Sequence, residues 1–331
     1  MNDNLLKVLA DIDKQFGKGS TIAGDQKVPI QRISTGSFGL DIATGGGYGE
    51  GRIVELFGDF SVGKTTLLIH GMIEAQKKYP KKHLAIIDSE HAFDTDYATM
   101  LGLDCTKLIV SQPSNGEEGL EIMDRLISSG EFSFIALDSI ATLVPKAELE
   151  GEMTDSSMGL QARMMGKACR KLTGSISKTN TVVIFTNQTR EKIGVVYGSN
   201  IAMPGGNAMK FYASQRIQLN KSQGDKGADG IQTNTHIKAT VVKNKLAPPF
   251  KTCEYDIEFG KGISKSGELV EIGSKLGFIK KAGSWYSVEL DGETIKLGQG
   301  STGAKQTLED NPELAELLEA NIHKHLQEIE N

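Results

Sequence analysis

The sequence predicts an α/β fold: a mainly parallel sheet covered by helices, with a helix before it and a small α/β unit after it. Three observations carry this reading. Between residues 52 and 188, short apolar runs rich in β-branched residues alternate with amphipathic helical stretches, as βαβ units do. A Gly-rich turn, "GDFSVGKTT" (Gly58–Thr66), joins the first of these runs to the first of these helices. After Arg216 the apolar period changes to two, so the later strands extend the same sheet.

In chain order, "NLLKVLADIDKQFGKG" reads as one amphipathic helix that Gly17 ends. A Gly- and Pro-containing stretch separates it from the sheet, so its apolar face needs a partner. "GGGYGEGR" (45–52) is rich enough in glycine to predict a mobile approach to the first strand. That strand is "RIVELF" (52–57), and the helix "TTLLIHGMIEAQKK" follows it. "HLAIIDSE" (83–90), "KLIVSQ" (107–112), "FSFIALDS" (132–139) and "TVVIFTNQ" (181–188) are the next strands. A segment of about twenty residues with no helical or strand period leads from the last of them to "NAMKFYAS"; so long a loop inside a compact domain is usually functional or disordered. "RIQLNKS", "THIKATVVKNK" and "TCEYDIEFG" extend the sheet. The C-terminal unit comprises the helix "GELVEIGSKLGFIK", a hairpin at Asp291-Gly292 and a last helix opened by Asn311 and Pro312. The expected domains are 1–30, 31–264 and 265–331.

Composition narrows the class. The chain has 331 residues, 38% hydrophobic and 24% charged, and no run approaches the roughly 18 apolar residues of a membrane span. The N-terminus lacks the basic region of a signal peptide. Three isolated cysteines, Cys105, Cys169 and Cys253, form no C-x-x-C and point to a reducing cytoplasm. Cys169 and Cys253 read as small core residues. The six histidines show no metal spacing, and His323 and His325 read as a solvated helix face. The net charge is −5, yet Ser156–Ser222 holds ten Lys and Arg against Glu191 alone. That segment is +9 inside a remainder of −14, a local footprint for phosphates.

The Gly-rich turn fits G-x-x-x-x-G-K-[ST], in the strand-to-helix context a P-loop requires. Backbone N–H groups of Gly58, Asp59, Phe60, Ser61, Val62, Gly63, Lys64, Thr65 and Thr66 would cradle phosphate oxygens, aided by the helix N-terminus. Lys64 would reach the β- and γ-phosphates, and Thr65 a Mg²⁺ ion. Asp138, at the end of "FIALD", has the pattern of the acid that lies near that metal. In "LAIIDSE", Glu90 is the choice over Asp88 for activating water, although acids gather at strand ends in any case. Gln188 ends the neighbouring strand and precedes the long basic segment, so it could report the γ-phosphate to that segment; a polar pair bonded to the sheet edge is the alternative. Lys243 and Lys245 read only as two cations on one strand face. Arg163, Lys167, Arg170 and Lys171 share one helical face, solvated or phosphate-facing.

"ISTGSFGLDIATGG", "GRIVELFGDFSVGKTTL", "IIDSEHAFD", "PKAELEGEM", "DSSMGLQARMM", "TNQTREKIG", "GGNAMKFYAS" and "VVKNKLAPPF" resemble the bacterial RecA recombinase family, collinearly from about Leu5 to Pro312. The resemblance implies a RecA-type core and a DNA-dependent ATPase that uses ATP and Mg²⁺. It implies a helical homo-oligomeric filament on single-stranded DNA that pairs and exchanges strands with homologous double-stranded DNA, and promotion of repressor self-cleavage. By resemblance, Asp94 and Tyr97 hold the adenine, Glu90 activates water, Gln188 senses the γ-phosphate, and Lys243 and Lys245 reach a neighbouring protomer's nucleotide. The N-terminal helix resembles the docking element between protomers. The matching DNA segments are about Glu150–Ser157 and Thr189–Gly206, with Met158 beside the first. Ile193 matches a residue that wedges between bases; Arg163 and Arg170 match DNA contacts; Arg190, Lys192, Gly205 and Gly206, within the second segment, are DNA-binding by the same resemblance. The family's longer acidic tail has only the last helix as counterpart, where Thr307–Asn331 holds seven acids and one lysine. A ring helicase with the same core, or an ATP-gated DNA-binding scaffold, would share the P-loop but differ in assembly or turnover.

Overall fold

The computed structural model describes residues 3–17, 21, 29–152, 159–191, 201–222, 224–225, 230–290 and 292–330. Two compact units result, Met1–Gln31 and Arg32–Asn331. In the first, α1 (Asp3–Phe16) ends as its spacing predicts: Gly17 adopts φ +104° and its N–H donates to Asp13 O at 3.0 Å. Its Leu6, Val8 and Phe16 are exposed.

The second unit opens with β1 (Arg32–Ile33), α2 (Phe38–Thr44) and β2 (Tyr48–Gly49). The P-loop strand β3 (Ile53–Gly58) and helix α3 (Lys64–Lys78) lead into β4 (His83–Asp88), α4 (Thr95–Met100), β5 (Leu108–Ser111), α5 (Gly116–Ser129) and β6 (Phe132–Asp138). Then come α6 (Lys146–Glu150), α7 (Leu160–Thr179) and β7 (Val182–Gln188). The long segment after β7 is pinched at its base by β8 (Arg190–Glu191) and β9 (Ile201–Ala202), two short strands that pair antiparallel. Next are α8 (Ala208–Tyr212), β10 (Gln215–Ser222), β11 (Asn234–Asn244), β12 (Thr252–Glu258) and β13 (Gly262–Ile263). The C-terminal unit holds α9 (Lys265–Lys275), β14 (Ile279–Ala282), β15 (Trp285–Leu290), β16 (Glu293–Gln299), α10 (Gly300–Asp310) and α11 (Pro312–Glu330).

Nine strands form one sheet in the order β13-β12-β11-β10-β3-β7-β6-β4-β5. From β10 to β5 the pairing is parallel; β10, β11 and β12 extend the sheet as their period-2 pattern predicts, and β11, β12 and β13 pair antiparallel. Every residue of β3 and β6 is buried, because helices cover both faces. On one face Leu56, Ile86, Phe134 and Ile184 pack under Leu67, Leu68 and Met72 of α3. On the other, Ile135, Leu137 and Phe185 meet Met123 of α5 and Met165, Cys169 and Leu172 of α7.

Four local expectations need correction. The helix "GELVEIGSKLGFIK" stops at Lys275, because Gly277 turns left-handed at φ +83° and Ile279 begins β14. The apolar residues beyond the turn extend the helical period only because they return to the same core. α10 buries just Ala304 and Leu308, too thin a stripe to predict it. The glycine-rich approach is no loose linker: Tyr48 is fully buried and pairs Ile33, and a Cβ on Gly47 would stand 2.2 Å from Ile33 O. His323 and His325 are not simply solvated. Their rings meet Phe38 and Phe278 edge-on, at centroid distances of 4.8 and 5.5 Å, and help seat α11.

The C-terminal unit is joined to the sheet through buried polar groups. The Glu268 carboxylate of α9 accepts from Ser37 Oγ (2.6 Å), Phe38 N (3.2 Å) and Gly39 N (2.9 Å) at the start of α2. Just before α9, and within the core itself, His70 of α3 accepts from Ile263 N of β13 at 3.0 Å, and burial pushes its pKa down to about 4, so it stays a neutral acceptor. For Glu268, burial outweighs the three donors and raises the carboxyl to about 7 from 4.5. Between those values the folded chain holds more protons at Glu268 than the unfolded chain. Its contribution is therefore full below pH 4.5 and is lost as pH rises through 7, by up to about 3 kcal/mol. Glu268→Gln should flatten the loss of stability between pH 5 and 8 in urea unfolding, while Glu268→Ala should destabilise at both pH values by about 2 kcal/mol or more, since it orphans three donors. An unaltered pH dependence in Glu268→Gln would rule out this titration.

Candidate functional site

The parallel register brings four strand ends together, those of β3 and β7 level with each other and two residues beyond those of β4 and β6. Gly58 pairs Gln188 across β3 and β7, and Asp88 pairs Asp138 across β4 and β6. Above these ends lies a cleft of about 550 Å³, with Lys64, Thr65, Glu90, Tyr97, Asp138 and Gln188 in its wall. The P-loop enters α3 through Gly63 at φ +79°, where a Cβ would come within 2.2 Å of Ile257 Cδ1. Only glycine fits that turn.

Inside the loop, the buried Lys64 Nζ donates to Asp59 O at 2.6 Å and Gly58 O at 3.4 Å. Burial lowers its pKa, against the attraction of Asp138, Glu90 and Asp59. Thr65 Oγ1 donates to Asp138 Oδ2 at 2.8 Å, and Thr186 Oγ1 donates to Asp138 Oδ1 at 2.5 Å. Burial raises the Asp138 carboxyl, and these two hydroxyls pull it back. A hydroxyl and a carboxylate oxygen at hydrogen-bond distance are the hard donors Mg²⁺ takes, with waters and phosphates completing its shell. Among the described residues no cluster of three or more His, Cys, Asp or Glu could hold a metal unaided.

Glu90 Oε1 accepts from Ser139 Oγ at 2.6 Å and from Gln188 Nε2 at 3.1 Å. Asp88 is occupied structurally: it is buried and accepts from Phe93 N and Gln112 Nε2. Of the two acids, Glu90 lies in the cleft wall and Asp88 does not. Tyr97 reaches the cleft and its hydroxyl lies 3.2 Å from Thr66 Oγ1. Asp94 caps α4 by accepting from Tyr97 N at 2.9 Å and is not in the cleft wall. Lys243 and Lys245 are likewise not in the wall of this chain's cleft: Lys243 Nζ donates to Lys210 O at 2.6 Å and Phe211 O at 3.2 Å.

Sequence reasoning missed several participants. Phe259 and Gly260, after β12, also line the cleft, as do Ile257 and Thr235. Ser139 and Thr186 flank acids that were recognised. Their signal was present as hydroxyls next to, or one strand over from, Asp138, but only strand order reveals it.

On the basic side, Arg163, Lys167 and Arg170 lie exposed along α7, opposite its buried Met165, Cys169 and Leu172. Among the described residues, two of the cations in the +9 segment are neutralised by acids outside it. Lys171 Nζ is 2.9 Å from both Glu121 and Asp124 of α5, and Arg216 Nε is 2.5 Å from the buried Glu55. The footprint is therefore narrower than the count predicts. Gln161, in the first turn of α7, donates to Ile140 O and Leu143 O and accepts from Gly205 N at 3.0 Å. It ties the start of α7 to the far end of the segment after β7. Arg190 is exposed in β8, Gly205 is buried and Gly206 is exposed. Met158, Lys192 and Ile193, most of Glu150–Ser157 and the middle of Thr189–Gly206 lie outside the described residues.

Comparison with known families matches residues 3–264 to the RecA N-terminal domain and 267–327 to the RecA C-terminal domain. Protein RecA of Paenarthrobacter aurescens is 51% identical over 322 residues, 96% of this chain and 90% of that one. Protein RecA of Bacteroides thetaiotaomicron is 52% identical over 325 residues, covering 97% and 96%, and that of Caulobacter vibrioides 50% over 325 residues, covering 97% and 89%. With the P-loop, both strand-end acids and the basic helix in place, the chain belongs to the RecA recombinase family of DNA-dependent ATPases.

Proposed function

We propose that this chain assembles as a filament on single-stranded DNA in the cytoplasm, hydrolyses ATP with Mg²⁺, and pairs and exchanges homologous strands. Residues 31–264 carry both chemistry and DNA contact in this reading, residues 1–30 link protomers, and 265–331 form an accessory domain. The observation that carries it is the bond between Gln188 Nε2 and Glu90 Oε1 at 3.1 Å. It joins the residue at the head of the basic segment to the carboxylate best placed to take a proton from water.

Lys64 leaves the carbonyls of Gly58 and Asp59 to meet the β- and γ-phosphates. Thr65 and Asp138 would hold Mg²⁺, with Thr186 fixing the carboxylate's other oxygen. When bound, Mg²⁺ neutralises charge developing on the phosphates. Glu90 accepts the proton of the attacking water while Ser139 orients it. Gln188 donates either to Glu90 or to the γ-phosphate, so its choice of acceptor reports which nucleotide is bound. Tyr97 and Phe259 offer aromatic surface to the base. Lys243 and Lys245 complete the site of a neighbouring protomer, in accord with their absence from this chain's own cleft wall. Arg163, Arg170 and Arg190 contact phosphates along the strand without reading its sequence.

Lys64→Ala should lower ATP turnover by about 100-fold or more, since one preorganised charge is lost from the transferring phosphate; near-normal DNA-stimulated turnover would place the site elsewhere. Gln188→Ala should still bind nucleotide but lose most of the difference in DNA affinity between ATP and ADP states, measured by fluorescence anisotropy. A difference of wild-type size would end its sensor role. On single strands, Arg163→Ala and Arg170→Ala should each flatten the salt dependence of binding by about 0.7 in log K against log[salt], whereas Lys171→Ala, already paired with Glu121 and Asp124, should change it by much less. Equal slopes for all three variants would return α7 to a merely solvated face.

A further inference from the structure

The Asn187–Gln188 pair divides between the two faces of the sheet, as neighbours in a strand must. Gln188 turns to the nucleotide cleft. Asn187, 1% exposed, turns to the other face. Its Nδ2 donates to Glu55 Oε1 at 3.1 Å and to Pro204 O at 3.2 Å, while its Oδ1 accepts from Gln188 N at 2.9 Å. Glu55 lies in β3, three residues before the P-loop begins, and is itself 1% exposed. Its second oxygen accepts from Arg216 Nε at 2.5 Å. The Arg216 guanidinium lies 4.7 Å over the Phe57 ring and sends Nη2 to Met203 Sδ at 3.5 Å. Met203 and Pro204, the return end of the segment that starts after Gln188, are thus held twice by groups centred on Glu55.

A buried ion pair contributes little net stability, because desolvation offsets the attraction. What this one supplies is geometry: both Glu55 oxygens are used, and each links β3 to the returning segment. The entrance of that segment is covalently joined to Gln188. Its exit is joined to the residue before Gln188 by a hydrogen bond. A force on the segment therefore reaches the end of β7 from both sides, one residue from the Gln188–Glu90 bond.

We propose that Glu55 and Asn187 are positioning residues that make hydrolysis depend on DNA, by clamping the exit of the DNA-contacting segment to the P-loop strand and the Gln188 strand. The proposal rests on the DNA-contacting role assigned above to Thr189–Gly206. Asn187→Ala should leave nucleotide affinity and DNA-free turnover within about 2-fold of wild type, and should lower the stimulation by poly(dT) by about 10-fold. Amide exchange at 202–206 should rise in the variant while that of β6 stays unchanged. Stimulation of wild-type size would overturn the clamp, as would an equal fall of basal and stimulated rates. Asn187→Leu keeps roughly the volume without adding a charge beside Glu55 but loses the donor, and should behave alike. Should neither variant fold, the wild-type chain still decides. A non-hydrolysable ATP analogue should slow exchange at 202–206 and at 187–189 by similar factors, and independent changes at the two ends would overturn the clamp. If poly(dT) fails to stimulate the wild type, the DNA role of the segment falls, and this exchange comparison alone judges the clamp.

Discussion

Four adjacent parallel strands that end on the same side of one sheet are the constraint from which the site follows. Because β3, β7, β6 and β4 are paired in parallel register, the P-loop, Gln188, Asp138 and the turn bearing Glu90 emerge at the same end of the sheet. None of these groups is held by a dedicated scaffold of its own. Each is placed by backbone hydrogen bonds whose positions are set by the apolar packing on both faces. A slip of one residue in any strand would turn its terminal side chain to the opposite face. The hydrophobic interior thus decides the chemistry indirectly, by deciding register.

The electrostatics are arranged by the same geometry. Acidic groups near the cleft are kept in check by hydroxyls: Thr65 and Thr186 on Asp138, Ser139 on Glu90. A hydroxyl donor stabilises a carboxylate without adding a competing positive charge beside Lys64. On the opposite side, cations needed for structure are neutralised by acids from other elements, leaving Arg163, Lys167 and Arg170 exposed along one helix. The chain can carry a net negative charge and still present a basic surface, because pairing removes from the field the cations that packing requires.

Much of this was legible in the sequence wherever information is local. The P-loop spacing, the apolar runs closed by Asp138 and Gln188, and the period-2 strands after Arg216 each express a rule that spans fewer than a dozen residues. What was not legible depends on partners distant in the chain. Glu90 meets Ser139, Asp138 meets Thr186 and Asn187 meets Glu55 only after strand order is settled. Counting charge along the chain failed for Lys171 and Arg216 for the same reason, since their acids come from α5 and β3. The helix assigned across Gly277 was misread because two elements that return to one core share an apolar rhythm.

The way α9 meets α2 bears on how this chain can be dissected. Glu268 lies beyond the sheet in sequence, yet it is the acceptor for Ser37, Phe38 and Gly39 at the start of α2, well before it. Cutting the chain before residue 265 would not yield an intact core with an appendage removed. It would leave two backbone donors in the first turn of α2 and the Ser37 hydroxyl without their acceptor, and bare Phe38, which packs against Leu269 and His323. Loss of activity in such a fragment would report damage to its own interior, not a duty of the missing part. Point substitutions on the outer face of the C-terminal unit are the cleaner instrument.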